Sequence, residues 1–268
     1  MLYLALHAPP TWPLELDGIL PEKLASLTVD EIARRRVYHG NRSEDLGTFF
    51  AVTGNAMSGE MLIRGDCSRV KRIGAGMTAG RIVVEGDVGF HAGAEMHGGE
   101  LCIQGNASDW LGAEMSGGVI HVSGNTGNQT GAAYRGSRHG VRGGTILIRG
   151  NAGDETGLLM RRGLIAVGGN CGAFAGASMI AGTLVAMGEV GRAAGAGMKR
   201  GTIIVGCEPE LGPGFRFSCE YRPTFLSLFA ERLRHLRFEP AMQLLARSVR
   251  CYRGDVVNHG DGELLILG

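Results

Sequence analysis

The sequence predicts an all-β protein: a right-handed parallel β-helix with a small amino-terminal segment and capping helices at the carboxyl end. Three observations lead to this fold class. Glycine is far above ordinary usage, at 46 of 268 residues. Strand-like segments recur at intervals of 19 residues. Apolar residues alternate along each segment, as in a strand with one buried face. The right hand is the default for parallel connections.

The repeat accounts for the glycine excess. Each unit opens with glycine and continues into an alternating segment such as GRIVVEGD. Five of the six steps are 19 residues, and the step from Gly118 to Gly144 is 26 because it carries a seven-residue insertion. An earlier unit, GEMLIRGD from Gly59, is two residues longer than the norm. The units begin at Gly80, Gly99, Gly118, Gly144, Gly163, Gly182 and Gly201.

The units share one order of residue types. The third and fifth positions are apolar. In five of the seven units a glycine followed by Asp or Asn comes next and predicts a corner, because these residues tolerate left-handed backbone. A methionine lies three residues before six of the seven units. In a stacked arrangement, Asn106 should lie over Asn125 and pass hydrogen bonds along the axis. Met96 should lie over Met115 and fill the space that the glycines leave.

A unit of 19 residues is too short to place a crossover helix between parallel strands. We therefore expect the chain to wind over itself, with coils about 4.8 Å apart. About four buried side chains, at about 1.5–3 kcal/mol each, cannot offset about 1–2 kcal/mol of backbone entropy for every residue of one coil. The coils should therefore fold cooperatively, and both ends of the stack need caps.

The flanks divide the chain into three predicted regions. Residues 1–45 form an amino-terminal strand and helix segment, 46–206 the β-helix, and 207–268 a carboxyl-terminal helical cap and return strand. A capping box from Thr28 to Glu31 predicts a short helix. The segment TFFAVTGN near residue 50 is interpreted as an incomplete first coil.

Two amphipathic helices are predicted after the glycine period ends, within PTFLSLFAERLRHLRF and PAMQLLARSV. They should cover the end or the side of the β-helix. The final segment GELLILG repeats the strand signature and predicts one more strand. The predicted apolar faces are Phe225, Leu228, Phe229, Leu233 and Leu236 in the first helix, and Ala241, Leu244, Leu245 and Val249 in the second.

Composition excludes several classes of function. Lys and Arg total 27 against 26 Asp and Glu, so no overall field favours nucleic acid or an anionic membrane. The amino terminus lacks a basic region and carries early prolines, so it is a poor signal peptide. No segment approaches the length of a membrane span. The six cysteines contain no C-x-x-C pair, which favours a reduced cytoplasmic protein.

Glu95 and Glu114 are the candidate catalytic residues. They occupy the same position in successive coils, about 5 Å apart, near the spacing of a retaining glycosidase pair. The alternative is that this position faces solvent or a partner's arginine, which we favour because no aromatic platform for a sugar accompanies the two glutamates. His91, His97 and His121 fall at three different positions of the repeat, so they do not converge as metal ligands. We predict no catalytic residue and no metal site on this chain.

Outward-facing positions of the strands change along the stack. The early strands carry pairs such as Glu100 and Gln104, whereas the later strands carry Leu164, Val185 and Ile204. Such an apolar patch must be covered, either by the carboxyl-terminal helices or by another subunit.

A basic stripe is predicted down one edge of the stack, in the two positions after the methionine. It either binds an acidic partner or polyanionic tail, or forms a solvated edge that prevents end-on aggregation. Its members are Arg142, Arg161, Arg162, Lys199 and Arg200, with Arg135 and Arg138 in the insertion AAYRGSRHG.

The pattern G-x-x-G-x-x-x-G with GAxM, as in GDVGFHAGAEM and GNCGAFAGASM, resembles a known repeat. That repeat is shared by the C subunit of formylmethanofuran dehydrogenase and the carboxyl-terminal domain of the large glutamate synthase subunit. The match covers about Gly47 to Gly206. Chain length, the short amino-terminal segment and the absence of an amidotransferase or flavin region favour the first family.

The resemblance implies a non-catalytic scaffold. In bacterial relatives, a formyltransferase/hydrolase complex moves a formyl group from formyl-tetrahydromethanopterin to a methanofuran-type carrier and hydrolyses it to formate. The hydrolase (A), B and formyltransferase (D) subunits are the implied partners. The implied metal ions lie on the hydrolase, and no cofactor lies on this chain. The competing hypothesis is a stand-alone carbohydrate-active β-helix enzyme that uses Glu95 and Glu114.

Overall fold

A computed structural model describes residues 1–244 and 248–268. The protein is strand-rich with few helices, in agreement with the predicted all-β class. The strands in chain order are β1 (Leu2–Leu6), β2 (Leu14–Glu15), β3 (Arg36–His39), β4 (Arg42–Asp45), β5 (Phe50–Gly54), β6 (Glu60–Arg64), β7 (Val70–Lys71), β8 (Arg81–Glu85), β9 (Glu100–Ile103), β10 (Val119–Val122), β11 (Thr145–Ile148), β12 (Leu164–Val167), β13 (Thr183–Ala186), β14 (Thr202–Val205), β15 (Arg216–Tyr221), β16 (Val249–Gly254) and β17 (Gly262–Leu267).

Helical segments are short, and those in the described residues are too short or too polar to cross a membrane. The α-helices are α1 (Pro21–Leu24), α2 (Val29–Ala33) and α3 (Phe225–His235), and 3-10 turns span Leu46–Thr48, Glu239–Leu244 and Val256–Asn258. The predicted capping box is present at α2, where the Thr28 side chain accepts a hydrogen bond from Glu31 N and the Glu31 carboxylate accepts one from Thr28 N.

The strands of the described residues form two sheets. A 13-stranded mixed sheet has the order β15-β16-β17-β14-β13-β12-β11-β10-β9-β8-β6-β1-β5. A 4-stranded sheet has the order β4-β3-β2-β7. The parallel run from β8 to β14 pairs strands that are neighbours in sequence, which is the order expected when each repeat lies directly on the previous one.

The strand register follows the repeat. Ile120 of β10 pairs with Leu101 of β9 on one side and with Ile146 of β11 on the other. The insertion between β10 and β11 therefore leaves the pairing undisturbed. A second ladder of parallel bridges, such as Val88 with Ala107, runs beside the sheet at the position after each corner. We call the segment from one unit to the next a coil.

Asparagines link neighbouring coils at the corner, as predicted. Asn106 Oδ1 accepts a hydrogen bond from Asn125 N at 2.9 Å, and Asn125 Oδ1 accepts one from Asn151 N at 2.8 Å. The side-chain oxygen thus satisfies a backbone donor of the next coil. A second ladder of this kind, not predicted, runs from Asp109 through Asn128.

The methionines are buried at the predicted position of the repeat, with Val141 in that position before Gly144, and they explain the first glycine of most units. Met77, Met96, Met115, Met160, Met179 and Met198 are fully buried. A Cβ at residue 118 would lie 2.7 Å from Met96 Cε, and one at residue 144 would lie 2.7 Å from Met115 Cε. Gly118 also has φ +86°, so both space and backbone require glycine there.

The amino-terminal end differs from the prediction. The segment near residue 50 is not a first coil, because β5 pairs antiparallel with β1 at the edge of the large sheet. Strand β1 instead lies parallel to β6 and extends the run of coils. Residues 2–6 therefore share one sheet with the repeat, although a chain boundary was predicted at residue 45. Sequence pattern missed this pairing because it joins segments far apart in the chain.

The carboxyl-terminal end confirms the return strand and corrects the helices. Strand β17 pairs parallel with β14, and β16 and β15 follow it antiparallel. The second predicted helix is wrong: Leu244 ends a 3-10 turn, Val249 begins β16, and Leu245 lies outside the described residues. Val249 pairs with Leu267, so completing the sheet outweighs the local helical pattern.

Helix α3 confirms most of its predicted apolar face. Leu233 is buried, and the partly buried Phe225, Phe229 and Leu236 pack against the same cluster. Leu228 is the exception, because it is 72% exposed. Leu226 and Ala230 are buried as well, so the centre of the buried face is rotated slightly from the predicted one.

Among the described residues, two large apolar clusters and one small alanine cluster result. The larger one fills the interior of the stack, and the other lies between the outer face of β11–β14 and the carboxyl-terminal segment. The second cluster includes Ala166, Val185 and Ile204 of the strands and Leu233 of α3. The sequence allowed either the carboxyl-terminal helices or another subunit to cover the apolar patch. The protein's own carboxyl-terminal segment covers it. Strand β11 is accordingly buried on both faces, whereas β9 is buried on alternate residues only.

Candidate partner-binding surfaces

The predicted basic stripe lies along one edge of the stack. Arg142 N bonds to Met115 O, Arg161 N to Val141 O, and Lys199 N to Met179 O. These backbone bonds place each residue one coil above the previous methionine position, so the three side chains belong to one column, and all are exposed.

Four members of the stripe converge on a pocket of about 380 Å³, whose lining residues are Arg161, Arg162, Ile180, Ala181, Lys199, Arg200, His259 and Asp261. Four cationic groups face one carboxylate there. The closest approach between them, from Arg200 Nε to Asp261 Oδ2, is 4.0 Å in an exposed setting. The pocket therefore carries excess positive charge and suits a group with several negative charges.

The other predicted members of the stripe do not line this pocket. Arg135 and Arg138 are exposed on the insertion, and Arg142 lies one coil below Arg161. The insertion reaches the stripe through His139, whose Nε2 accepts a hydrogen bond from Arg161 Nη1 at 3.0 Å. The histidine nitrogen must be the acceptor, because a guanidinium group has only hydrogen-bond donors.

Glu95 and Glu114 lie one coil apart, as predicted, and both have left-handed backbone, with φ +56° and +54°. Glu114 Oε1 accepts a hydrogen bond from Tyr134 N at 3.0 Å. Glu95 Oε1 lies 4.0 Å from Arg72 Nη2. The Glu114 carboxylate thus holds the backbone of Tyr134, and the Glu95 carboxylate faces Arg72. In a catalytic pair, both carboxylates would face the substrate.

An aromatic patch lies beside these two glutamates, and the expectation that no aromatic platform accompanies them is wrong. The aromatic patch consists of Phe90, His91, Trp110 and Tyr134. Ring centroids are 5.0 Å apart for Trp110 and Tyr134, 5.6 Å for His91 and Tyr134, and 6.3 Å for His91 and Trp110. The 19-residue offset between His91 and Trp110 was a usable signal. The position of Tyr134, inside the insertion, had no such signal.

Partial burial sets the protonation of the patch. Desolvation lowers the pKa of His91, with Arg72 nearby as a second cause. Desolvation raises the pKa of Tyr134 to about 12. At neutral pH a neutral imidazole therefore meets a protonated phenol, and His91 Nδ1 lies 3.0 Å from Tyr134 Oη.

A groove of about 570 Å³ lies on the outer face of β8–β11, beside the end of α3. Cys102 Sγ donates to Glu100 Oε1 at 3.2 Å, and Arg81 Nε lies 3.3 Å from Glu100 Oε2. Burial raises the pKa of the Cys102 thiol to about 11, so it is not a thiolate nucleophile at neutral pH. Arg81 neutralises the charge of Glu100, and the Cys102 thiol stays protonated. The groove therefore presents no activated nucleophile among these three residues.

The three histidines from the sequence analysis have separate surroundings. His91 contacts Tyr134, His97 Nδ1 lies 2.6 Å from Ser116 Oγ, and His121 Nε2 lies 3.7 Å from Glu100 Oε1. Over residues 1–244 and 248–268, no three His, Cys, Asp or Glu side chains lie close enough to hold a metal ion.

Comparison with known proteins gives both partial and full-length matches. The sequence matches no family model. It is 46% identical over 82 residues to the C subunit of molybdenum-containing formylmethanofuran dehydrogenase 1 from Methanothermobacter marburgensis, which is 30% of this chain and 20% of that relative. It is 41% identical over 88 residues to the C subunit of tungsten-containing formylmethanofuran dehydrogenase 2 from Methanothermobacter thermautotrophicus, 31% of this chain and 33% of that one. The chain thus matches a third or less of the length of these curated relatives.

A solved structure matches throughout. One chain of the crystal structure of the formyltransferase/hydrolase complex (FhcABCD) from Methylorubrum extorquens, in complex with methylofuran, superposes with a TM-score of 0.92 and 35% sequence identity. The match covers 99% of this chain and 99% of that chain. The full-length match therefore includes the amino-terminal segment and the carboxyl-terminal cap as well as the repeat.

Proposed function

The chain belongs to the family of formylmethanofuran dehydrogenase C subunits, and on that basis we propose that it is the non-catalytic scaffold of a formyltransferase/hydrolase complex in one-carbon metabolism. The observation that carries the proposal is the match over 99% of both chains at 35% identity with a chain of such a complex. The site geometry supports it, because Glu114 Oε1 accepts a backbone N–H and the Cys102 thiol donates to Glu100.

The architecture that suits this role is a right-handed parallel β-helix over residues 46–206, with an amino-terminal segment over 1–45 and a cap over 207–268. Support comes from the 19-residue register of the strands, the ladder of corner bridges and the asparagine ladder. A stack of this kind is stiff along its axis, because every coil bonds to the coils above and below it. Stiffness is what a scaffold needs in order to hold partners at a fixed distance.

The proposed partners are the hydrolase (A), B and formyltransferase (D) subunits, in the cytoplasm. In the proposed reaction, the formyl group passes from formyl-tetrahydromethanopterin to a methanofuran-type carrier and is released as formate. These steps, and the metal ions that assist hydrolysis, belong to the partner subunits. This chain contributes surfaces rather than reacting groups.

The basic stripe has a proposed role in the same complex: guiding a carrier that bears a polyglutamate tail. The pocket formed by Arg161, Arg162, Lys199 and Arg200 supports this, because its excess positive charge complements a chain of carboxylates. Isothermal titration of the protein with tetraglutamate should show salt-sensitive binding. Charge reversal at Arg161 and Arg162 should abolish that binding, and Arg216→Glu, outside the stripe, serves as the matched control.

Co-purification tests the scaffold role. Tagged protein expressed with the hydrolase, B and formyltransferase subunits should bring all of them down in fixed stoichiometry. If the tagged chain elutes alone, the proposal fails.

The stand-alone carbohydrate-active enzyme is the second candidate, and the aromatic patch beside Glu95 and Glu114 is the observation in its favour. Against it, the carboxylate of Glu114 accepts the Tyr134 N–H. Incubation of the isolated protein with β-linked oligosaccharides should release no product. Hydrolysis that the Glu95→Gln variant loses would favour the enzyme instead.

A further inference from the structure

The aromatic patch is built on a shelf of small residues. Ala75, Ala94 and Ala113 are buried in successive coils, and Trp110 and Tyr134 pack against them. Larger side chains in the alanine positions would displace the rings. The seven-residue insertion, the one irregular step among the six, delivers Tyr134 to this shelf. The regular coils, through their alanines, and the insertion, through Tyr134, therefore contribute to one surface.

The patch remains accessible. Phe90 is 40% exposed, and His91, Trp110 and Tyr134 are partly exposed. Contiguous aromatic surface of this kind is costly to leave in water, and it is enriched where proteins bind one another. Trp and Tyr in particular supply the side chains that dominate binding energy in interfaces.

Negative charge borders the rings. Arg72 lies 3.2 Å from Asp17 Oδ1 through Nε and 4.0 Å from Glu95 Oε1 through Nη2. The charged groups around the rings are the cations Lys71 and Arg72 and the carboxylates of Glu15, Asp17, Glu95, Asp109 and Glu114. The border therefore has five negative groups and two positive ones. The second oxygen of Glu114 is not used in its bond to Tyr134 N.

The ring arrangement favours a protein over a sugar. Each of His91, Trp110 and Tyr134 has two ring neighbours within 6.3 Å. Sugar binding uses an open ring face, whereas a cluster of packed rings presents edges and an irregular apolar surface. Arginine side chains match such a surface, because a guanidinium stacks on aromatic rings and pairs with carboxylates.

We propose that the aromatic patch, with Glu95 and Glu114, is the docking site for a partner subunit that places an arginine against Trp110 and the two carboxylates. This inference rests on the proposed function, because the occupant is a subunit of that complex. It adds the surface that is used and the chemistry that the partner must present.

Competition for assembly tests the proposal. Tagged hydrolase, co-expressed with the B and formyltransferase subunits, is supplied with equal amounts of unmodified chain and Trp110→Ala. Mass spectrometry of the purified complex should find the variant at least tenfold under-represented, as is typical of an aromatic interface residue. The double variant Glu95→Gln, Glu114→Gln should be under-represented as well, and more so at low salt. Equal incorporation of Trp110→Ala would overturn the proposal.

Phe174→Ala is the matched control. Phe174 occupies the same position of the repeat three coils away, has the same left-handed backbone with φ +59°, and is 38% exposed. It should be incorporated as well as the unmodified chain. Thermal unfolding of all the variants shows whether a loss of assembly comes from misfolding. If the unmodified chain also fails to assemble, the proposed function fails together with this inference.

A second measurement separates protein from sugar as the occupant. The sequence has two tryptophans, so the Trp12→Phe variant leaves Trp110 as its single tryptophan. Its tryptophan emission should be unchanged by millimolar cellohexaose and, after subtraction of the partners' own emission, should shift when the partner subunits bind. A saturable response to the oligosaccharide alone would overturn the proposal in favour of a carbohydrate site.

Discussion

Met96 Cε lies against Gly118, at 2.7 Å from where a Cβ on residue 118 would be. The methionine that precedes one unit and the glycine that opens the unit after it thus pack together. The same relationship joins Met115 to Gly144. It connects the sequence repeat to the interior of the protein, because each coil is shaped to receive a side chain from the previous one.

Gly118→Ala should destabilise the protein by about 2–4 kcal/mol, because it combines left-handed strain with overpacking against Met96 and the backbone of Gly98 and Gly99. Gly76→Ala is the matched control: Gly76 has φ +69°, but a Cβ there would meet nothing within 4 Å. That variant should lose only about 1 kcal/mol. Urea unfolding gives both values. Equal losses would show that the contacts of the added methyl group contribute nothing.

Leu233→Ala should lower the free energy of unfolding by about 2–4 kcal/mol, because Leu233 is 0% exposed in the cluster beneath α3. Leu228→Ala, at a position that is 72% exposed on the same helix, should change it by less than about 0.5 kcal/mol. Thermal unfolding of the two variants provides the comparison. A large loss from Leu228→Ala would mean that a different face of the helix is buried.

Stability should fall as the pH decreases below about 6.5, the ordinary pKa of histidine. Desolvation lowers the pKa of both His91 and His121 in the folded chain. The unfolded chain therefore takes up these protons at a higher pH than the folded chain does, and acid favours unfolding. Above that pH both states are neutral at these residues, and the contribution is fully present.

The urea midpoint, measured from about pH 8 to about pH 5, should show this decrease. The double variant His91→Gln, His121→Gln should have a flatter profile than the unmodified protein over the same range. Parallel profiles would assign the acid sensitivity to other groups.

Cys219 and Cys251 should form a disulfide on treatment with oxidised glutathione. They are directly opposed in the antiparallel pair β15–β16, a geometry whose Cα separation of about 4.5–5.5 Å a disulfide can span. Exposed Cys219 attacks glutathione disulfide first and releases one reduced glutathione. The Cys251 thiol then displaces the second glutathione from Cys219, so two protein thiols become one disulfide.

Burial raises the pKa of Cys251 to about 11, so the second step should accelerate with rising pH. Peptide mapping by mass spectrometry detects the Cys219–Cys251 link. Cys219→Ser should yield none, and Cys207→Ser, at another exposed cysteine, should leave the yield unchanged. Persistent glutathione on Cys219 without the link would contradict the prediction.

Much of the repeat region could be predicted from sequence because its contacts are periodic. The Asn106–Asn125 hydrogen bond and the burial of Met96 and Met115 follow from the 19-residue spacing alone. The members of the basic pocket were likewise predicted as one stripe. In a stack, each residue contacts the residues at the same position of the preceding and following repeats. The spacing of the repeat in the sequence therefore predicts these contacts.

The flanks and the aromatic patch could not be predicted in the same way. Strand β5 has no counterpart in the repeat, and its antiparallel pairing with β1 depends on a long-range contact. Val249 lies in a helical sequence pattern but belongs to strand β16, because it pairs there with Leu267 of β17. Tyr134 reaches Trp110 through an insertion whose path no spacing rule describes.

By itself, the sequence determined the strand-rich class, the spacing of the coils and the column of basic residues, because each of these repeats along the chain. Only the tertiary structure decided that β1 extends the large sheet, that α3 covers β11–β14, and that Tyr134 lies against Trp110. These contacts join segments without a common period, and their energies depend on surfaces that exist only once the coils have stacked.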